Sequence, residues 1–180
     1  MIDKTEPTKF ILDACCGGKN MWFNKNHPNT IYIDHRKRKK GHAHRSKNKY
    51  HEIEPDYIMD NRELEFKDKS FKLVVLDPPF FTRKEGYDAN SDMVQCYGFL
   101  NPMTWKEDLK KMFDEAWRVL DDFGILIFKW NEMQKKKKEV LEVLGKEPLF
   151  GHSTKNYTNT IWFCFMKIPI AETETQGVQK

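Results

Sequence analysis

Apolar and polar positions along this chain alternate in blocks, and the apolar blocks have the length of strands. Lys9–Ala14 (KFILDA), Thr30–Asp34 (TIYID), Asp56–Asp60 (DYIMD), Phe71–Asp77 (FKLVVLD), Gly124–Trp130 (GILIFKW) and Thr160–Lys167 (TIWFCFMK) each read as a buried strand, and a short partner for the last falls near Leu149–His152. The runs are continuous rather than strictly alternating, which predicts strands covered on both faces. Thr104–Leu120 reads as a helix: Trp105, Leu109, Met112, Phe113, Ala116, Trp117 and Leu120 share one face, and Gly124 marks the exit toward the next strand. Thr104 with Glu107 has the spacing of a capping box, with Pro102 just outside. A second helix is predicted from about Met133 to Leu144, its four-lysine run read as a solvated face. Between Lys19 and Pro55 the crossovers look short or irregular. The order of elements predicts an α/β domain with a mostly parallel seven-stranded sheet, an antiparallel edge hairpin and helices on both faces.

A length of 180 residues suits one domain, and 39% apolar residues supply one core. We place that domain at 1–168 and read the polar stretch 169–180 as a disordered tail. No apolar run approaches the length of a membrane span, and the N-terminus has no apolar signal core, so a cytoplasmic protein is expected, without membrane partners. Cys15, Cys16, Cys96 and Cys164 form no CxxC pair and are read as reduced thiols. Charge changes the picture more. The stretch from His35 to His51 holds eight of the 31 Lys/Arg and no acid, so that elsewhere the 27 acids outnumber the remaining bases. Such a block is either a polyanion contact, with Arg36, Lys37 and Arg38 as its leading residues, or a solvated loop. His42 and His44 lack Cys or acidic companions, and no metal site is expected.

Two motifs carry candidate chemistry. Asp13-Ala14-Cys15-Cys16-Gly17-Gly18-Lys19 follows the first strand. A glycine turn there lets backbone approach a cofactor closely, or is simply a tight turn; the GK[ST] ending of a P-loop is missing. Asp34 ends the second strand, where an acid can grip both ribose hydroxyls of a nucleoside cofactor. Asp60, followed by Asn61, ends the third and could receive an adenine amino group. Asp77-Pro78-Pro79-Phe80 ends the fourth strand. The connection 81–103 is long, carries Phe81, Tyr87, Tyr97 and Phe99, and reads as a lid or binding loop. Lys129 and Asn131, at the end of the fifth strand, open toward the same edge.

The Asp77–Phe80 motif resembles the Asp/Asn-Pro-Pro-aromatic motif of the Rossmann-like methyltransferases that act on exocyclic amines of nucleic-acid bases. The Asp13–Lys19 turn is similar to that family's D-x-x-C-G-x-G turn at Asp13, Cys16 and Gly17, and departs from it at Lys19, where a glycine is usual. FKWNE (Phe128–Glu132) and the Pro148–His152 run look like small phage- or prophage-encoded methyltransferases, over about residues 9–167. The resemblance implies S-adenosylmethionine as cofactor, held by Asp13, Ala14, Cys15, Cys16, Gly17, Asp34, Asp60, Asn61 and Asp77. It implies catalysis by Asp77, Pro78, Pro79 and Phe80, and substrate contacts from Phe81, Arg36, Lys37, Arg38, Tyr97, Lys129 and Asn131. The implied reaction is transfer to a base amine, with adenine N6 and DNA favoured, in a bacterial or phage-infected cell. A separate target-recognition domain does not fit, which points to low sequence specificity, a partner subunit or a homodimer. A non-catalytic nucleic-acid-binding subunit and a small-molecule methyltransferase are the alternatives.

Overall fold

The computed structural model describes residues 9–39, 52–82, 94, 97–153 and 159–169. The elements are β1 (Ile11–Asp13), β2 (Thr30–Asp34), β3 (Tyr57–Ile58), β4 (Phe71–Leu76), α1 (Trp105–Val119), β5 (Leu120–Asn131), α2 (Lys137–Leu144), β6 (Phe150–Ser153) and β7 (Thr160–Met166). They form one seven-stranded sheet in the order β3-β2-β1-β4-β5-β7-β6. The first five strands in that order are parallel, and β7 runs antiparallel to both β5 and β6, so the late hairpin forms the edge.

Register sorts the side chains into two faces, because paired residues on neighbouring strands point the same way. One face carries Leu12, Ile31, Ile33, Val74, Leu76, Leu126, Phe128, Trp130, Ile161, Phe163 and Phe165, all at most 5% exposed. Trp105, Leu109, Met112, Phe113 and Ala116 of α1 and Val140 and Leu144 of α2 join them in one core. Phe113 meets Phe128 and Phe165 edge-on, at 6.3 and 5.2 Å between ring centres. Both complete helices among the described residues therefore lie on this face. The other face carries Ile11, Leu73, Ile125, Ile127, Trp162 and Met166, all partly exposed, the exposed Phe150, and the buried Tyr32, Val75 and Cys164. The continuous apolar runs thus face a helix layer on one side and a thinner covering on the other.

At β1 and β2 that second face is covered by a loop of turns, not a helix. Trp22 holds the loop down. Its indole Nε1 donates to Asp13 Oδ2 at 2.7 Å, and its ring meets Tyr32 edge-on at 5.1 Å. Lys19 takes a left-handed backbone, φ 54°, and its ammonium lies 4.2 Å from the centre of the Tyr32 ring. A lysine can therefore stand where the related turn has glycine: the αL cost of about 1–2 kcal/mol is partly offset by a cation–π contact of about 0.5–1 kcal/mol.

Three local expectations differ from the structure. The capping box does not form, since the Thr104 hydroxyl donates to Asp108 Oδ2 at 2.7 Å and makes no bond to the helix backbone. β5 begins at Leu120, directly after α1, not at Gly124. α2 begins at Lys137, because Glu132 and Asn131 bond to backbone N–H groups of Lys137 and Met133 and hold the intervening residues as turns. The tail from 170 onward, His42, His44 and the rest of 40–51, and Tyr87 and Cys96 lie outside the described residues.

Candidate active site

The same register puts Asp13, Asp34, Asp77 and Lys129 on the open face, at the carboxyl ends of β1, β2, β4 and β5. Asp60 follows β3 at the same level. All but Asp13 border a cleft of about 370 Å³, lined by Cys15–Gly18, Asp34–Arg36, Asp60–Arg62, Asp77 and Lys129 among others. A smaller slot of about 70 Å³ adjoins it, lined by Asp77–Phe80, Tyr97, Lys129–Asn131 and Thr160. Asp77, Pro79, Tyr97 and Lys129 line both, and so form the wall between them.

The turn after β1 is built by backbone bonds across the sheet. Ala14 N–H donates to Val75 and Cys16 N–H to Ile33, each within 2.9 Å. Gly17 has φ 47°, and a Cβ there would meet nothing within 4 Å, so its main chain faces open cleft. Its N–H donates to Asp34 Oδ2 at 3.1 Å. Asp34 is buried and is also gripped by Arg36, through the backbone N–H, Nε and Nη2 at 2.9, 3.0 and 3.2 Å. Asp60 and Arg62 repeat this clasp two residues apart, and Arg62 reaches on to Asp108 of α1 at 2.8 Å. The hydrogen bonds from the Arg62 side chain and N–H, with its charge, hold the Asp60 carboxyl below its usual range.

Asp13 has no such cation. It is fully buried, and desolvation pushes its carboxyl up to about 7 despite bonds from Trp22 and from the Cys15 N–H. The nearby carboxylates of Asp77 and Asp34 push the same way. Burial also drives the Cys15 and Cys16 thiols upward, which keeps both protonated at neutral pH and unsuited to nucleophilic work. Cys15 has a different use: its sulfur accepts the Asp77 N–H at 3.1 Å and ties the first motif to the second.

Asp77 is open to the cleft yet deeply set among protein atoms. Burial raises its carboxyl, against the pull of Lys129, whose Nζ lies 2.6 Å from Oδ2. Pro78 and Pro79 fix φ through the following turn. Gly98, at φ 74°, lets the 97–100 segment close on it; a Cβ there would stand 3.3 Å from Pro79 Cγ. Phe80 lines the slot, while Phe81 is buried behind it with ring centres 4.4 Å apart.

The structure thus brings together Ala14's neighbours Cys15–Gly17, Asp34, Asp60, Asn61, Asp77, Pro79, Tyr97 and Lys129 at the cleft, and Pro78, Phe80 and Asn131 at the slot. Ala14 and Asp13 lie just beneath. Lys37 pairs with Glu54 at 2.6 Å, and Arg38 bridges to the Ile53 backbone; neither lines the cleft or the slot. Sequence reasoning missed Arg62, Asp108 and Trp22. The repeated Asp-x-Arg spacing of Asp34–Arg36 and Asp60–Arg62 signals the first, whereas nothing local marks Trp22. Among the described residues there is no group of three His, Cys, Asp or Glu set to hold a metal ion, and no helix is long and apolar enough to cross a membrane.

No known family profile matches the chain, and no curated protein does. Solved structures do. A Pyrococcus horikoshii protein superposes with a TM-score of 0.55 at 13% identity, over 92% of this chain and 84% of its own. A SAM-dependent methyltransferase from Methanosarcina mazei gives 0.53 at 12%, over 93% and 96%. A Clostridium thermocellum protein described as an rRNA methylase gives 0.50 at 12%, over 91% of both chains. The fold is that of the Rossmann-like methyltransferases.

Proposed function

We propose that this protein is an S-adenosylmethionine-dependent methyltransferase acting on an exocyclic amine of a nucleic-acid base, with adenine N6 the favoured target and DNA slightly favoured over RNA. The observation that carries the reading is the Asp77-Pro78-Pro79-Phe80 motif on the wall between a cofactor-sized cleft and a slot with an aromatic side. The cleft supports this reading: Gly17 offers open backbone, Asp34 at the end of β2 offers an acceptor for ribose hydroxyls, and Asp60 with Asn61 offers polar partners for adenine. When bound, S-adenosylmethionine supplies a methyl group on a positively charged sulfur, and that C–S bond breaks as the new N–C bond forms.

The protein's own contribution is orientation and hydrogen bonding. A base amine has its lone pair delocalised into the ring. Asp77 and the Pro78 carbonyl accept its two N–H bonds, which favours a pyramidal nitrogen with the lone pair aimed at the cleft. Phe80 offers a ring for a base taken out of its stack. The proton leaves the nitrogen after transfer, so a strong general base is not needed.

A polyanionic partner is supported by a second lysine group. Gln134 Oε1 accepts from the N–H and hydroxyl of Thr82, two residues beyond Phe80, and the Trp130 indole donates to the Lys135 carbonyl. Lys135–Lys138 therefore begin beside the slot. Lys136, Lys137 and Lys138 are exposed, and among the described residues none of the four makes an ion pair. Lysines crowd the positive end of the α2 dipole, contrary to helix stability, as expected of a surface that meets phosphates.

The test is transfer of labelled methyl from S-adenosylmethionine to single- and double-stranded DNA and to RNA, read by nucleoside mass spectrometry. Label on adenine N6 supports the reading in full, and label on another base amine changes only the target. No label, with cofactor binding shown separately, would replace it with a small-molecule enzyme or a non-catalytic subunit.

A further inference from the structure

We propose that Lys129 is the positioning residue of the catalytic carboxylate: it clamps Asp77 Oδ2 and thereby leaves Oδ1 as the acceptor offered to the amine. This rests on the reading of Asp77 as the group that receives the amine. Lys129 reaches Asp77 from β5, on the same face of the sheet, at 2.6 Å. Its ammonium also lies 5.6 Å from the centre of the Trp162 ring on β7, an aromatic wall that limits where the charge can rest. Lys129 lines both cavities, so it stands where cofactor and substrate meet. The main chain of Asp77 is fixed separately, by its N–H on Cys15 Sγ. Two anchors therefore hold one residue, one at the backbone and one at the carboxylate.

The surroundings show why the cation is needed. Asp77 faces Asp13 and Cys15 from the β1 turn and Tyr97 from the segment beyond the motif, while Asp34 is occupied by Arg36. Among the described residues, Lys129 makes the one ion pair to Asp77. Burial favours a proton on the Asp77 carboxyl, and Lys129 opposes it. A protonated carboxyl presents a donor to the amine and can rotate, whereas the clamped carboxylate presents a fixed acceptor.

Lys129→Met and Lys129→Arg separate this role from packing. Methyl transfer to a random-sequence mixture of single-stranded DNA and RNA oligonucleotides is followed against pH, and the Asp77 carboxyl is titrated by carbon-13 NMR in the free protein. In Lys129→Met, kcat at pH 7 should fall by about tenfold or more, with the acid limb moved upward by about one pH unit or more. Asp77 should titrate higher, and cofactor affinity should change by less than about twofold. Lys129→Arg should restore the limb. An unmoved limb with unmoved Asp77 titration overturns the proposal, as does a Lys129→Met variant faster than wild type, which would make the lysine an obstruction. If the Asp77 titration moves but even the wild-type protein methylates no oligonucleotide, the positioning role stands and the base-methylation reading falls.

Discussion

Along β5, Leu126, Phe128 and Trp130 point into the helix layer and are at most 1% exposed, while Ile125, Ile127 and Lys129 between them face the other way and are partly open. β4 repeats the contrast in part: Val74 and Leu76 are buried and Leu73 and Asp77 partly open, but Val75, on the same face as those two, is buried. The same strands thus serve stability on one face and chemistry on the other. The difference teaches how a chain of this length carries a cleft: helices cover one face completely, and the turn-rich Trp22 loop leaves room above the other.

Substitutions one residue apart should separate the faces. Phe128→Ala removes a ring packed among Phe113, Trp130 and Phe163 and should cost about 3–5 kcal/mol in urea unfolding. Ile127→Ala, on the half-open face, should cost about 1 kcal/mol. Equal losses would mean that the second face is as well covered as the first.

Asp13 sharpens the contrast: among the described residues it is the acid of the open face buried without a cation. Its carboxyl is raised from 3.8 to about 7, so between those values the folded protein holds a proton that the unfolded chain has released. That contribution is fully present below about pH 4 and is lost as pH rises through about 7, amounting to up to about 4 kcal/mol. His35, lowered by burial, titrates with the opposite sign, so the informative quantity is the difference between variants. The fall in unfolding free energy from pH 5 to 8 should be shallower in Asp13→Asn than in the wild type; parallel curves would remove Asp13 as the source.

At the catalytic end, Asp77→Ala should reduce transfer by about 10²–10³-fold with cofactor affinity nearly intact, and Asp34→Ala should weaken the cofactor first. Isothermal titration alongside turnover distinguishes them. Normal turnover in Asp77→Ala would remove the site from this wall.

The strands, their parallel order and the edge hairpin could be read from apolar runs, and the acids from their places at strand ends. The openness of one face could not. Ile125 and Ile127 are as apolar as Leu126 and Phe128, and what differs is the covering layer supplied by other parts of the chain. The irregular stretch after Lys19 was the only trace of it, since among the described residues that stretch folds as turns over β1 and β2. Lys129 was legible as a residue near the cleft, but its bond to Asp77 depends on β4 and β5 being neighbours in register. Arg36 was legible as a residue of a basic block, but its clasp on Asp34 at the edge of the cleft was not. The smallest test concerns Lys19. Lys19→Gly relieves left-handed strain and loses the contact with Tyr32, so stability should change by less than about 0.5 kcal/mol. A larger loss would assign the ammonium a greater structural weight.

The bond from the Asp77 N–H to the Cys15 sulfur works as a spacer between two loops that no strand pairing reaches. A thiol is long and soft, and it spans from the turn after β1 to the Asp77 N–H just beyond the bond between Ala14 and Val75. Serine at position 15 would keep an acceptor but draw the loops together, and alanine would leave a buried N–H without a partner. The placement of Asp77 on the wall between cleft and slot therefore leans on one sulfur atom of the turn beside it.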